Sequence, residues 1–264
     1  MEPTPLGTVG GVKALQSELD QPFLVLYGDV LMDMDLSRLL AFHKVKGADA
    51  TLVVHPNDHP YDSDLLDVDS HDKVTAFYAK PHPEGLQYRN LVNAAAYVFN
   101  PIVLDYLEAD VKADFGKDIF PSLHKELDLY AYNTPEYLKD MGTPDRLYKV
   151  EEALQSGKVA ARNLNQLQKC VFLDRDGVIN IDTDLIHRPK DFQLYPYAAE
   201  SIKKLNKMGF LVVVVTNQSV IARGLCTIKE LGDIHKKMET ELGADGAFVE
   251  AIYFCPHHPH GGFE

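Results

Sequence analysis

Two carboxylates spaced i, i+2, Asp174 and Asp176, directly follow the apolar run Val171–Leu173 and precede Gly177. A short buried strand ending in such a turn projects both from its C-terminal edge, where open α/β sheets bind ligands. The pair suits phosphoryl transfer through an aspartyl-phosphate, one carboxylate attacking and the other moving a proton. Taken alone, the spacing also fits a plain acidic turn. Downstream, the aliphatic run Leu211–Val215 ends in Thr216, Asn217, Gln218 and Ser219. A hydroxyl and turn N–H groups at a strand end are what a phosphoryl oxygen requires. After a further apolar run, Val249–Phe254, Cys255 and His257 offer one thiolate and one imidazole. That is half of a tetrahedral zinc site, or a chance neighbouring of the two residue types.

The elements that must hold these groups are legible between them. Pro196 opens a helix with Ala198, Ile202, Leu205 and Met208 on one face, and Gly209 stops it. A second helix starts at the capping box Thr227/Glu230, buries Leu231, Ile234, Met238 and Leu242, and ends at Gly243. Strand, helix, strand, helix, strand predicts a parallel, Rossmann-like sheet. The N-terminal half opens differently. Phe23–Tyr27 reads as a buried strand running into Gly28 and Asp29, a carboxylate placed for a cation that bridges phosphates. Asp35 caps a helix that buries Leu36, Leu39, Leu40 and His43 and closes at Gly47. A strand at Thr51–Val54 and a hairpin, Leu65–Val68 with Val74–Tyr78, follow.

The run Phe172–Asn180 resembles motif I of the haloacid-dehalogenase (HAD) superfamily of Mg-dependent phosphatases, and Thr216 stands at the superfamily's motif II. The segment Thr216–Gly224 is similar to that of the D-glycero-D-manno-heptose 1,7-bisphosphate phosphatases, with Val220 where they carry glycine. The resemblance implies Asp174 as nucleophile and Asp176 as general acid and then general base, both at a Mg2+ site. It further implies that Thr216 and Asn217 hold the phosphoryl group, with Gln218 and Ser219 extending the substrate loop. Arg223 would contact sugar phosphate, or stand solvated or paired with a carboxylate. Cys255 and His257 resemble the first half of that subclass's structural Zn2+ loop. Histidinol phosphate is the alternative substrate within the subclass, and a non-catalytic remnant the alternative of another class.

Five pieces of the N-terminal half resemble sugar-1-phosphate nucleotidyltransferases: Pro5–Thr8, Gly28-Asp29, Lys80-Pro81, Asn93–Phe99 and Lys139–Pro144. The resemblance implies that Asp29 and Asp140 coordinate Mg2+, that Lys80 contacts sugar phosphate, that Asn93 binds the sugar, and that Gly7 admits base or sugar to the backbone. Sugar 1-phosphate would attack the α-phosphorus of a nucleoside triphosphate and release pyrophosphate. Tyr27, Ala79 and the stretch His55–Asp64 depart from the family pattern.

The expectation is therefore an α/β protein of two Rossmann-like three-layer domains. Residues 1–157 are of the nucleotide-diphospho-sugar transferase type and residues 168–264 of the HAD type, joined through the polar segment Gln155–Gln168. Both are expected to be truncated at their outer ends. The transferase's Gly-rich triphosphate loop would lie before Met1, and the phosphatase's second zinc pair, lysine and last acidic motif beyond Glu264, so little turnover is expected from either site. A net charge of −13 argues against nucleic acid and anionic membranes as partners. Sugar phosphate and nucleoside triphosphate must instead meet local cations and bound metal. Three cysteines without a signal peptide point to a reducing cytoplasm.

Overall fold

The computed structural model describes residues 5–261. These form two compact units. The first runs through His55, Asp62–His82 and Leu91–Leu167, and the second comprises Pro56–Tyr61, Pro83–Asn90 and the chain from Gln168 onward.

The first unit contains α1 (Gly7–Ala14), β1 (Phe23–Leu26), β2 (Val30–Asp33), α2 (Leu36–Lys46), β3 (Ala50–His55), β4 (Leu65–Val68), β5 (Val74–Tyr78) and β6 (Val92–Phe99). It continues with α3 (Phe120–Leu123), β7 (Leu129–Asn133), β8 (Tyr137–Asp140), α4 (Pro144–Gln155) and α5 (Lys158–Ala161). Its main sheet runs β5-β4-β6-β3-β7, with β1 also on β6. Only β3 and β7 are parallel neighbours; the other pairs are antiparallel. Alternation along β6 divides its side chains between two cores. Tyr97 and Phe99 pack with Phe115 and Phe120 on one face, while Ala96 and Val98 meet Val53 and Leu39 of α2 on the other. Complete burial of a side chain such as Leu39 contributes about 1.5–3 kcal/mol. Asp35 caps α2 by accepting the Ser37 N–H, and Gly47 ends the helix in the left-handed conformation. Leu40, expected in the buried stripe, is 43% exposed. It belongs to the helix's outer edge, because one sheet face can cover only a narrow stripe. A separate two-stranded ribbon sets Val30 of β2 opposite Asp140 of β8.

The second unit has β9 (Cys170–Leu173), α6 (Ala198–Lys207), β10 (Leu211–Asn217), α7 (Ile228–Ala244) and β11 (Ala251–Cys255). The sheet order is β11-β10-β9, and all pairs are parallel. The capping box at Thr227 and Glu230 is formed in both directions. Ile202 of α6 and Ile234 and Met238 of α7 pack with Val212 and Val214 of β10 on one face. On the other face Phe172, Val215 and Tyr253 are exposed, so the described residues of this unit make two layers. Pro196 precedes the first turn of α6 by two positions, and Met208, expected on its apolar face, is exposed. The N-terminal segments of this unit pack on α7: the Tyr88 N–H donates to Thr240 Oγ1, and Arg89 pairs with Glu239.

Candidate functional site

In the second unit, parallel pairing of Leu173 with Val214 brings the C-terminal ends of β9 and β10 side by side. Asp174 emerges exposed from β9, and its Oδ1 accepts the backbone N–H of Arg175 at 2.7 Å. Arg175 turns inward and is fully buried. Its Nε and one terminal nitrogen reach Asp176 Oδ1 at 3.0 Å each, and the same terminal nitrogen reaches Oδ2 at 3.0 Å. Asn180 Nδ2 donates to Asp176 Oδ1 at 3.0 Å, and Gln218 Nε2 donates to Oδ2 at 2.7 Å. Gln218 Nε2 also reaches Thr216 Oγ1 at 2.9 Å, so the amide ties β10's end to the carboxylate of the β9 turn. Arg175 in addition donates to Gln218 Oε1 at 2.9 Å.

Behind this network, His235 Nε2 lies 3.4 Å from the guanidinium. Burial, then the charges of Arg175 and Arg89, push the His235 imidazole down to about 3. It is neutral at ordinary pH and serves as an acceptor. Burial also lowers the Arg175 guanidinium, opposed by the Asp176 charge and its hydrogen bonds.

The structure thus joins Asp176, Thr216 and Gln218 directly and keeps Asp174 beside them. Among the described residues no hydrogen bond links Asp174 to Thr216. Arg223 is paired with neither a carboxylate nor bulk water alone: its Nε donates to Ser219 Oγ at 3.4 Å and its terminal nitrogen meets His258 Nε2 at 2.9 Å. The Arg223 charge contributes, after desolvation, to lowering the His258 pKa. Asn217 pairs in register with Cys255, and the Gln218 N–H donates to the Cys255 carbonyl. The loop after β10 therefore lies against the Cys255 turn, where Cys255 Sγ and His257 Nδ1 are 3.6 Å apart. Two donors are half of a tetrahedral zinc shell. No group of three or more His, Cys, Asp or Glu side chains suited to a metal occurs among the described residues.

In the first unit, β2 and β8 bring Asp29 and Asp140 together, and the Met141 N–H donates to the Asp29 carbonyl at 2.7 Å. A Cβ added at Gly142 would stand 3.0 Å from Asp140 Oδ1 and 3.5 Å from Asp29 Oδ2, so both carboxylates border one small space. Arg146 holds Asp140 Oδ2. Oxygen donors of this kind suit Mg2+. At the other carboxylate pair, Asp176's oxygens are engaged by Arg175, Asn180 and Gln218, which leaves Asp174 the more open donor.

Lys80 is anchored on Asp62, through its carbonyl at 3.1 Å and its carboxylate at 3.6 Å. Asn93 donates to Tyr97 Oη at 3.0 Å. Two carboxylates that the sequence reading passed over sit with them. Asp64 Oδ1 accepts the Lys80 N–H at 3.0 Å, and Asp114 Oδ2 accepts from Thr8 Oγ1 at 2.9 Å. A Cβ at Gly116 would clash with Asp64 Oδ2 and stand 3.4 Å from Asp114 Oδ1 and 3.6 Å from Asn93 Nδ2, which makes that glycine the signal for their convergence. Burial raises the Asp64 carboxyl, against the lowering effect of the Lys80 N–H and charge. Burial likewise pushes the Tyr27 phenol up to about 12. Gly7, with φ of +75°, presses its bare Cα onto the Ala113 carbonyl. That close backbone packing is itself sufficient reason for glycine there.

The model of the nucleotidyl transferase family matches residues 1–157. The C-terminal region is 40% identical over 98 residues to the D-glycero-beta-D-manno-heptose-1,7-bisphosphate 7-phosphatase of Yersinia pestis, covering 37% of this chain and 52% of that one. The D,D-heptose 1,7-bisphosphate phosphatase of B. bronchiseptica, solved with magnesium and phosphate, is 40% identical, covering 36% of this chain and 54% of the other at a TM-score of 0.35. A Bacillus anthracis structure assigned as a glucose-1-phosphate thymidylyltransferase shares the fold at a TM-score of 0.50 and 14% identity, over 58% of this chain and 62% of that one. The chain spans about half the length of the phosphatases it matches. Among the described residues no helix is long and apolar enough to cross a membrane.

Proposed function

The chain belongs to the nucleotidyl transferase family through residues 1–157, and on that premise we propose that its two units serve sugar activation. In the intact protein, the second unit hydrolyses the 7-phosphate of D-glycero-D-manno-heptose 1,7-bisphosphate, and the first transfers a nucleotidyl group to the sugar 1-phosphate. The observation that carries the phosphatase reading is the joining of Asp176, Gln218 and Thr216 by two hydrogen bonds beside an exposed Asp174.

Asp174 attacks the phosphorus through Oδ2, the oxygen outside its bond to the Arg175 N–H. The sugar oxygen leaves with a proton from Asp176, and an aspartyl-phosphate forms on Asp174. Asp176 then takes a proton from water, which attacks the acyl-phosphate and releases inorganic phosphate. Thr216 Oγ1 and the Ser219 N–H receive the phosphoryl oxygens, while the Gln218 N–H stays on the Cys255 carbonyl. Asn217 and Ser219 line the 216–219 loop, and Arg223 faces the distal sugar phosphate. Mg2+, held chiefly by Asp174 with Asp176 near it, would neutralise charge on the transferring group. In the first unit, Asp29 and Asp140 would hold Mg2+, with Gly7, Lys80 and Asn93 bordering the nucleotide and sugar phosphate. Cys255 and His257 would supply two of the ligands of a structural Zn2+. Three free thiols accord with a cytoplasmic location.

The test is a single-turnover experiment with heptose bisphosphate labelled at the 7-phosphate, in Mg2+. The expected result is a hydroxylamine-labile phosphoryl-protein in the intact protein that is absent from its Asp174→Asn variant. No label in either, or equal label in both, sinks the reading. Stronger labelling by histidinol phosphate moves the substrate assignment to that ester.

A further inference from the structure

Between the two carboxylates stands a residue to which the phosphatase reading assigns nothing. Arg175 is completely buried, yet it is a cation that burial alone would penalise. Its guanidinium is spent on one partner above all. Three of its hydrogen bonds go to the two oxygens of Asp176, and the remaining contacts, to Gln218 Oε1 and His235 Nε2, fix the plane of the fork from behind. The Asp176 side chain itself remains 26% exposed, so the fork holds a carboxylate that still faces outward.

We propose that Arg175 is a positioning residue for phosphoryl transfer, gripping Asp176 by both oxygens so that its carboxylate meets the leaving oxygen and then the attacking water. A buried ion pair adds little to stability relative to apolar packing of the same volume, whereas bidentate geometry fixes orientation. Lysine preserves the charge but has no planar fork, so it cannot grip both oxygens at once. Gln218 completes the arrangement. Its Nε2 bridges Asp176 and Thr216, so the gripped carboxylate and the phosphate-binding hydroxyl are set relative to each other through the same amide.

The inference rests on the proposed phosphatase activity, and the experiment separates the two. Single-turnover rates and KM are measured for the native chain, Arg175→Lys and Arg175→Met in Mg2+, with circular dichroism to confirm folding. In parallel, NMR of the arginine Nε–H groups identifies the Arg175 signal by its loss in Arg175→Lys. Expected are a fall of roughly 10- to 100-fold in rate at nearly constant KM for Arg175→Lys, a larger fall for Arg175→Met, and partial recovery of Arg175→Met with added guanidinium. The Arg175 Nε–H is expected to be protected from exchange and to shift in Asp176→Asn. Native-like rates in folded variants, a change confined to KM, or an Nε–H that exchanges freely and ignores Asp176→Asn each overturn the positioning role. A native chain that forms no phosphoryl-protein at all overturns the phosphatase reading instead, and a protected Nε–H then marks a purely structural grip.

Discussion

Gln218 Nε2 stands 2.7 Å from Asp176 Oδ2 while donating also to Thr216 Oγ1, so one buried amide joins the ends of two neighbouring strands. Gln218 is 2% exposed, and its Oε1 accepts from Arg175. Replacing it with leucine leaves a guanidinium donor and the Thr216 hydroxyl short of partners. Gln218→Leu is expected to lose about 1–3 kcal/mol of stability in urea unfolding, together with phosphoryl-protein formation. A variant of native stability would show that the bridge is dispensable.

His235 makes stability depend on pH. Its imidazole is pushed down to about 3 in the folded protein, from an ordinary value of 6.5. Between those values the unfolded chain binds the additional proton. The contribution is therefore complete above pH 6.5 and is lost as pH falls toward 3, with a slope of at most about 1.4 kcal/mol per pH unit for one proton. Unfolding free energies of the native chain should fall across that window more steeply than those of His235→Gln. Parallel curves would refute it.

Asp64 works in the opposite sense. Burial raises its carboxyl above the unfolded value, so the charged form is disfavoured in the fold. Stability linked to this group is present in acid and lost as pH rises through the folded pKa. Asparagine keeps an oxygen for the Lys80 N–H without the charge. Asp64→Asn should thus gain stability at neutral pH, with the gain disappearing in acid; a variant less stable at neutral pH contradicts this.

Gly142 separates fold from function in the first unit. It is exposed, and an added Cβ would press on Asp140 Oδ1 and approach Asp29 Oδ2. Gly142→Ala is expected to change stability by less than about 0.5 kcal/mol while lowering pyrophosphate release or Mg2+ affinity by roughly tenfold or more. Unchanged Mg2+ binding, measured by calorimetry, would remove the Asp29–Asp140 assignment.

Local pattern carried a large part of this fold. The aliphatic run of β10, the caps at Asp35 and Thr227, and the glycine at position 47 each specify their element through neighbours in the chain. The ribbon β2–β8 had no such signature, because its residues are nearly uniformly half-buried and show no alternation. β7 does alternate, Leu129 and Ala131 buried against half-buried Tyr130 and Tyr132, so its strand signal was present in the sequence and passed over.

By itself the sequence determined which residue types end which strands: Asp174 and Asp176 after β9, Thr216 at the end of β10, Asp29 after β1. Strand periodicity and turn chemistry are properties of adjacent residues, and they suffice for that. Only the tertiary structure decided that Arg175 turns inward onto Asp176, that His235 on α7 backs it, that Arg223 meets His258, and that Asp64 and Asp114 gather around Gly116. Apart from Arg175 and Asp176, which are neighbours in one turn, those groups come from separate elements. Their geometry follows from how helices and strands pack in three dimensions, which no spacing along the chain encodes.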